Sequence, residues 1–136
     1  MSAVDVALPR LQTEEGFRAL PYKDTNGFET VGYGFNVQGG ISRFAAAALL
    51  AAQAQEAHEA LLKLTWYAAL DETRQSVCLD IDINEGERGL LKFPHMIAAL
   101  SKQDWATAAA ECQVQDPKLA ARYSALAKIL LTGTTS

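Results

Sequence analysis

The chain is organised around residues 14–34, EEGFRALPYKDTNGFETVGYG. Three polar side chains in this stretch, Glu15, Asp24 and Thr30, follow one another at intervals of nine and six residues. Glu15 ends an apolar-periodic segment and is followed at once by Gly16, and glycine is the usual residue just past a helix C-terminus. We therefore predict that Glu15 lies in the last turn of a short N-terminal helix, where the helix dipole favours a protonated carboxyl.

A turn signal divides this stretch into two halves. Residues 24–27, Asp-Thr-Asn-Gly, favour a chain reversal, and the Asn-Gly pair favours a two-residue hairpin loop. We predict strands at 20–23 and 28–33, with Thr30 across from Asp24. The two glycines near the end of the second strand indicate a bulge or a close approach of the backbone to another group.

The residue types in this hairpin suit one kind of chemistry. Glycoside hydrolysis requires a carboxylic acid and a carboxylate on either side of the sugar bond. Glu15 is the candidate general acid, Asp24 the candidate ionised partner, and Thr30 a hydroxyl that helps to hold a water. A general acid keeps its proton near neutral pH only with burial or a nearby negative charge. From spacing alone, solvated surface carboxylates near a turn remain the alternative interpretation.

The stretch resembles the catalytic signature of the T-even bacteriophage lysozymes, glycoside hydrolase family 24. The matching residues in it are Glu15-Gly16, Tyr22-Lys23-Asp24-Thr25, Gly27 and Thr30-Val31-Gly32-Tyr33-Gly34. Later matches, in order, are Leu70-Asp71, Ile83-Asn84-Glu85-Gly86, Phe93, Trp105, Arg122 and Thr132-Gly133-Thr134. The resemblance therefore extends over almost the whole chain, and its first motif is the most specific.

The resemblance implies an α+β, lysozyme-like fold in a single domain over residues 1–136. The implied parts are a small hairpin lobe at about 15–41, a connecting helix at about 42–64, and a helical lobe at about 65–136 that includes the N-terminal helix. A polysaccharide would bind in the cleft between the lobes.

The resemblance also implies a biochemical activity. The expected enzyme is a muramidase that cleaves the β-1,4 bond between N-acetylmuramic acid and N-acetylglucosamine of peptidoglycan, with Glu15, Asp24 and Thr30 as the catalytic residues. As a phage endolysin it would lyse the host, with a holin for export. Two alternatives stay open: a virion-carried lysozyme acting at infection, and a lysozyme-like domain that binds wall glycan without cutting it.

Four further residues are implied as substrate-binding. Arg122 stands where the family carries an arginine near the catalytic glutamate, and we expect its guanidinium within hydrogen-bond reach of Glu15. Asn84 either lines the cleft or caps a helix end. Tyr33 and Asn36 are candidate sugar contacts, although Tyr33 suits the core equally well.

The sequence departs from the family at two places. Phe35 stands where family members often have a histidine, so any ion pair made by that histidine is missing. Residues 94–96, Pro-His-Met, replace a stretch that usually ends in Ser-Thr. The two residues that would make a sugar contact in the family are therefore not present here. Trp105 is expected in the core.

Composition narrows the functional class. The chain has 136 residues, 49% of them hydrophobic, and a formal net charge of -4. Nucleic-acid-binding domains are usually basic, so this charge argues against such a partner. It also differs from the basic character of family lysozymes, whose wall substrate is anionic. The two cysteines, Cys78 and Cys112, are predicted as buried free thiols, which suits a reducing cytoplasm.

Other sites and segments are not expected. His58 and His95 are far apart and have no partners at ligand spacing, so neither a metal nor a cofactor is predicted. No stretch approaches the ~20 consecutive apolar residues of a membrane span. Residues 1–10 include an aspartate and lack a basic n-region, so no signal peptide is expected. We expect a monomer that stays in the host cytoplasm until its release to the cell wall.

The remaining helices follow from caps and periodicity. The predicted helices are 1–15 with a break or restart at Pro9, 42–64 capped by Ser42, 72–84 capped by Asp71, 94–101, 105–112 capped by Asp104, and a last helix from Asp116-Pro117 to about 131. Residues 65–70 are predicted as a link. Val77, Cys78 and Ile81 are predicted core positions, and the burial of Asp80 and Asp82 is left open.

Overall fold

The structure, a computed structural model, describes residues 1–86 and 89–136. Within these ranges it contains seven α-helices and a three-stranded antiparallel sheet, so the predicted α+β class is confirmed. The chain divides into two compact units, residues 1–48 and residues 49–136, called here the N-terminal and C-terminal units. The single domain, with the N-terminal helix in the helical lobe, stays a prediction.

Helix α1, Ala3–Glu15, opens the N-terminal unit with a capping box. The Ser2 hydroxyl accepts from the Asp5 N–H at 3.2 Å, and the Asp5 carboxylate accepts from the Ser2 N–H at 2.9 Å. The helix runs through Pro9, so the predicted break there is wrong. Pro9 lacks an N–H and removes one interior hydrogen bond, and the helix continues on both sides of it.

The sheet of the N-terminal unit has the order β1-β2-β3, with strands at Arg18–Lys23, Glu29–Gly32 and Phe35–Asn36. The third strand follows the second predicted strand, 28–33, and was not itself predicted; it pairs Asn36 with Thr30. Gly32 and Gly34 have φ values of 68° and 77°, a left-handed conformation that few other residues adopt. These two glycines therefore allow the tight reversal that forms β3.

The turn between β1 and β2 differs from the predicted two-residue loop. Asp24 N–H donates to Phe28 O at 2.9 Å and Gly27 N–H donates to Asp24 O at 3.0 Å, which closes a three-residue loop. Gly27 takes a φ of 83°, as in a type I turn followed by a left-handed residue. The register then places Thr30 opposite Tyr22, so the predicted position across from Asp24 is wrong.

Helix α2, Arg43–Leu61, crosses the boundary between the units, and its predicted cap is confirmed because Ser42 Oγ accepts from Ala45 N–H at 3.1 Å. The other helices are α3 (Thr65–Ala68), α4 (Glu72–Glu85), α5 (Pro94–Ser101), α6 (Trp105–Glu111) and α7 (Ala120–Thr132), with a 3₁₀ turn at Leu90–Lys92. Asp71 and Asp104 cap α4 and α6, as predicted. Helix α3 lies in the segment that was predicted as a link.

Helix α7 begins at Ala120, three residues after Pro117, which was predicted in its first turn. Asp116 instead closes a turn, because its carbonyl accepts from Leu119 N–H at 3.0 Å and its side chain accepts from Lys118 N–H at 2.9 Å. Aspartate before proline favours this local turn as well as a helix start. The helix ends as predicted, with Gly133 in the left-handed conformation at its C-terminus.

The hydrophobic core lies in the C-terminal unit. The predicted core residues Val77, Cys78 and Ile81 are all buried, whereas Asp80 and Asp82 are half-buried. Trp105 is half-buried and packs against the core. The buried apolar residues are Leu61, Tyr67, Leu70, Val77, Cys78, Ile81, Leu90, Met96, Ala99, Leu100, Ala108, Cys112, Tyr123, Leu126 and Leu130.

The two cysteines are free and buried, which confirms the prediction. Burial raises the pKa of the Cys78 thiol to about 12 and that of the Cys112 thiol to about 11. Both side chains therefore remain neutral thiols at neutral pH. Among the described residues, no helix is both long enough and apolar enough to span a bilayer.

Candidate active site

Glu15 is the last residue of α1, and its carboxyl lies against the backbone of Gly34. A Cβ added to Gly34 would stand 2.7 Å from Glu15 Oε2 and 3.4 Å from the carboxyl carbon. A side chain at this point would force the Glu15 carboxyl to move, so the close approach predicted for the end of the hairpin is present. The Glu15 side chain is exposed, and the burial expected of a general acid is therefore not found at this position.

Asp24 begins the turn between β1 and β2 and is half-buried. Its Oδ1 accepts from the N–H groups of Asn26 and Phe28, both at 2.9 Å. Both hydrogen bonds are accepted by Oδ1, and neither of these two donors binds Oδ2. The two main-chain donors fix the orientation of the carboxylate.

Thr30 lies in the middle of β2 and is only 3% exposed. Its hydroxyl donates to the Phe28 carbonyl at 2.9 Å. Asp24 accepts from the N–H of the same residue, so the two predicted catalytic side chains are both tied to Phe28. The Thr30 oxygen keeps its capacity to accept a hydrogen bond from a water.

Tyr33 and Asn36 lie beside the sheet and both are exposed. The Tyr33 side chain is 49% exposed and its ring packs on Phe17, with 5.5 Å between centroids and 52° between planes. It is therefore not a core residue. Asn36 Oδ1 accepts from Gln38 N–H at 3.0 Å, which leaves the amide NH₂ as a donor.

Arg18 is a residue of the hairpin that the sequence interpretation missed. Its guanidinium carbon lies 3.9 Å above the centre of the Tyr22 ring, in the cation–π arrangement. Residues four apart on a strand point to the same face, which is the signal that could have identified the pair. A register irregularity between the two residues accompanies this contact.

Asn84 lies near the end of α4 and contacts α7. The buried Tyr123 hydroxyl is 3.0 Å from Asn84 Oδ1 and 3.0 Å from Glu85 Oε1. Burial, with the Glu85 carboxylate adding to it, raises the pKa of Tyr123 above its ordinary value. Gly86 stands at the C-cap of α4, so Asn84 is not the cap residue. Its contribution to a cleft stays a prediction.

Arg122 is exposed on α7, and its partner in the C-terminal unit is Asp80 of α4. Arg122 Nε donates to Asp80 Oδ1 at 2.9 Å, and Nη2 donates to the same oxygen. Sequence reasoning did not identify this ion pair. The expected contact between Arg122 and Glu15 would join the two units and stays a prediction.

The C-terminal unit contains a cleft of about 630 Å³. Its lining includes the substituted stretch at Pro94, His95 and Met96. Met96 is fully buried, so the position that departs from the family contributes to the core. Among the described residues, no group of three or more His, Cys, Asp or Glu side chains could hold a metal ion.

Comparison with known proteins identifies a family for this chain. The family model described as phage lysozyme matches residues 12–124, which include α1 from its last turn, the hairpin and most of the C-terminal unit. No curated protein matches the chain in sequence. Because the match extends over far more than half of the 136 residues, the chain belongs to the phage lysozyme family.

Proposed function

We propose that this phage lysozyme is a peptidoglycan muramidase that hydrolyses the β-1,4 bond between N-acetylmuramic acid and N-acetylglucosamine. The observation that supports this most is the contact of the Glu15 carboxyl with Gly34, the glycine that follows β2. Thr30 lies in β2 of the same sheet, and Asp24 begins the turn between β1 and β2. The three residues of the family signature are therefore brought to one small sheet and the helix end beside it.

Each catalytic residue has a role that its surroundings support. Glu15 donates a proton to the leaving oxygen of the sugar as general acid. Asp24, oriented by the N–H groups of Asn26 and Phe28, stays charged and holds the attacking water or stabilises the positive sugar. Thr30, fixed by its bond to the Phe28 carbonyl, accepts a hydrogen bond from that water. No metal or cofactor takes part.

Substrate binding is assigned to polar and aromatic groups of both units. The exposed face of Tyr33 contacts a sugar ring, and the Asn36 amide donates to sugar hydroxyls. In the C-terminal unit, Asn84 and Arg122 contact the glycan strand or its peptide. The enzyme acts as a monomeric endolysin, released from the host cytoplasm through a holin, and a virion-carried role at infection uses the same chemistry.

A second candidate function is binding of wall glycan without cleavage. The exposed Glu15 side chain favours it, since a general acid needs surroundings that retain its proton near neutral pH. The hydrogen bonds that tie Asp24 in the turn and Thr30 in β2 to the same residue, Phe28, favour the enzyme.

One experiment separates the two candidates. Purified protein is added to chloroform-treated Gram-negative cells, and turbidity is followed together with the release of new reducing ends. Cleavage of the proposed bond leaves N-acetylmuramic acid at the reducing end, which mass spectrometry of the reduced fragments identifies. Loss of turbidity with these ends supports the muramidase. Association with the cells without new ends supports the wall-binding domain.

A further inference from the structure

Asp80 occupies a defined edge of the Arg122 guanidinium. Nε and Nη2 of Arg122 both donate to Asp80 Oδ1. The side chains are 43% exposed for Arg122 and 37% exposed for Asp80, so a ligand in solution can reach the pair. The contact joins residues that are 42 positions apart in the sequence, on α4 and α7.

The ion pair determines which donors of Arg122 remain for a ligand. A guanidinium has five N–H groups in a rigid planar fork. Asp80 accepts one N–H from Nε and one from Nη2. These two N–H groups form the side edge of the guanidinium, the edge that can bind a carboxylate through two hydrogen bonds. Within residues 1–86 and 89–136, Asp80 does not take up the end of the fork, which is formed by Nη1 and the second N–H of Nη2.

A second contact between the same two helices lies one turn further along. Asn84 follows Asp80 by four residues, so the two side chains lie on the same face of α4. Tyr123, next to Arg122 on α7, donates its hydroxyl to the Asn84 and Glu85 pair. The α4–α7 contact therefore fixes Asn84 and Arg122, the two substrate-binding residues proposed for this unit, relative to each other.

We propose that Asp80 is a positioning residue for peptidoglycan binding, which acts through Arg122 by presenting the Nη1–Nη2 end of its guanidinium to an acceptor oxygen of the glycan strand or its peptide. This proposal rests on the proposed function, in which Arg122 binds substrate. Without Asp80, Arg122 keeps its charge but loses its fixed direction. Asp80 therefore affects substrate affinity, and it has no part in bond cleavage.

A double-mutant cycle tests this inference. Steady-state KM and kcat for reducing-end release are measured on soluble peptidoglycan fragments with Asp80→Ala, Arg122→Ala and the double variant. Each single change is expected to raise KM about 10-fold, the range for a lost hydrogen bond to a charged group, with kcat within about 2-fold. The double variant is expected to match Arg122→Ala, because residues that act through one contact are not additive.

Two further variants separate positioning from a merely structural role. Asp80→Asn keeps an acceptor oxygen for Arg122, so it should restore KM to within about 2-fold of the wild-type value, as expected when orientation by a hydrogen bond matters more than charge. Glu72→Ala, an exposed acid in the first turn of the same helix, should leave KM unchanged. A KM that rises on Asp80→Ala in the Arg122→Ala background, or a lowered Tm with unchanged KM, would overturn the proposal.

Binding distinguishes failure of this inference from failure of the proposed function. If the wild type releases no reducing ends, the muramidase proposal fails. The same double-mutant cycle is then measured with the Kd of each variant for the fragments, determined by calorimetry. Non-additive losses of affinity would then still support Asp80 as a positioning residue. Absence of both cleavage and fragment binding would overturn the two proposals together.

Discussion

The two units of the molecule differ in what holds them together. Of the described residues in 1–48, Thr30 alone is buried, whereas the fifteen buried apolar residues all lie in the C-terminal unit. The N-terminal unit is ordered by hydrogen bonds between residues close in sequence, such as the Ser2–Asp5 capping box and the Asp24 turn. The proposed catalytic residues thus lie in the part of the chain with the least buried apolar surface.

The contrast is clearest in the range of the contacts. In the C-terminal unit, Arg74 Nε donates to Leu130 O at 2.8 Å across 56 residues, and its guanidinium stacks on Trp105 at 3.8 Å. Burial of apolar area is the main favourable contribution to folding, at roughly 25 cal/mol per Å². Changes at buried apolar residues of the C-terminal unit should therefore affect stability, and changes at the proposed catalytic residues of the N-terminal unit should affect activity.

The largest expected effect is on activity, from Glu15→Gln in the N-terminal unit. The amide cannot donate the proton, and general acid–base contributions are typically ~10²–10⁴-fold, so wall lysis should fall by at least that range. Circular dichroism should show an unchanged fold, because the side chain is exposed. An active Glu15→Gln variant would contradict the assignment of Glu15 as the acid.

The next effect is on stability, from Ile81→Ala in the C-terminal unit. Ile81 is fully buried, and truncations of this kind cost about 2–5 kcal/mol of unfolding free energy. The matched change in the N-terminal unit is Leu20→Ala, whose side chain is 77% exposed and should cost within about 0.5 kcal/mol. Urea unfolding measures both, and equal costs would remove the difference between the units.

Gly34→Ala should reduce lysis by about 10- to 100-fold, because small misplacements of catalytic groups have effects of this size. The added methyl would displace the Glu15 carboxyl, and the φ of 77° adds strain. Gly40→Ala is the control, with a φ of 81° and no atom within 4 Å of the added carbon. Similar activity in the two variants would mean that strain alone, and not the Glu15 contact, accounts for the loss.

A smaller effect is expected at alkaline pH. Burial raises the pKa of Cys78 from 9.0 to about 12, so the folded state retains a proton that the unfolded state loses. The stability from this group is full below pH 9 and is lost as pH rises towards 12. Tm should therefore fall through this interval, and less steeply in Cys78→Ala. An identical slope in the variant would assign the fall to other groups.

The smallest expected effect is that of salt. With a net charge of -4, there is little long-range attraction to an anionic wall to screen. The lysis rate should change by less than about 2-fold between low and physiological ionic strength, which is weaker than for a basic lysozyme. A steep fall would indicate a local basic surface in one of the units.

Much of the secondary structure could be predicted because its signals are local. The caps at Ser42, Asp71 and Asp104 were predicted correctly, since one side chain and a main-chain N–H three residues on define each of them. The errors arose where two local outcomes compete. Asp116-Pro117 suits a turn as well as a helix start, and Asn26-Gly27 suits loops of more than one length.

The sequence identified the residues of the candidate site, but not how they are arranged in space. The motif spacing identified Glu15, Asp24 and Thr30, but the register that places Thr30 opposite Tyr22 depends on the length of the loop. The third strand depends on positive φ values at Gly32 and Gly34. The two glycines in the sequence indicate a tight reversal, but they do not show which strand the following residues pair with. Hydrogen-bond register is a property of two strands together, so neither strand alone specifies it.

The sequence by itself determined the family, the α+β class, the helix caps and the buried cysteines. It did so because short motifs and apolar periodicity depend on neighbours within one or two turns. Only the tertiary structure decided that Asp80 binds Arg122 and that the Glu15 carboxyl lies against Gly34. These contacts join residues 42 and 19 positions apart, and their geometry depends on how helices and strands pack, which no local pattern encodes.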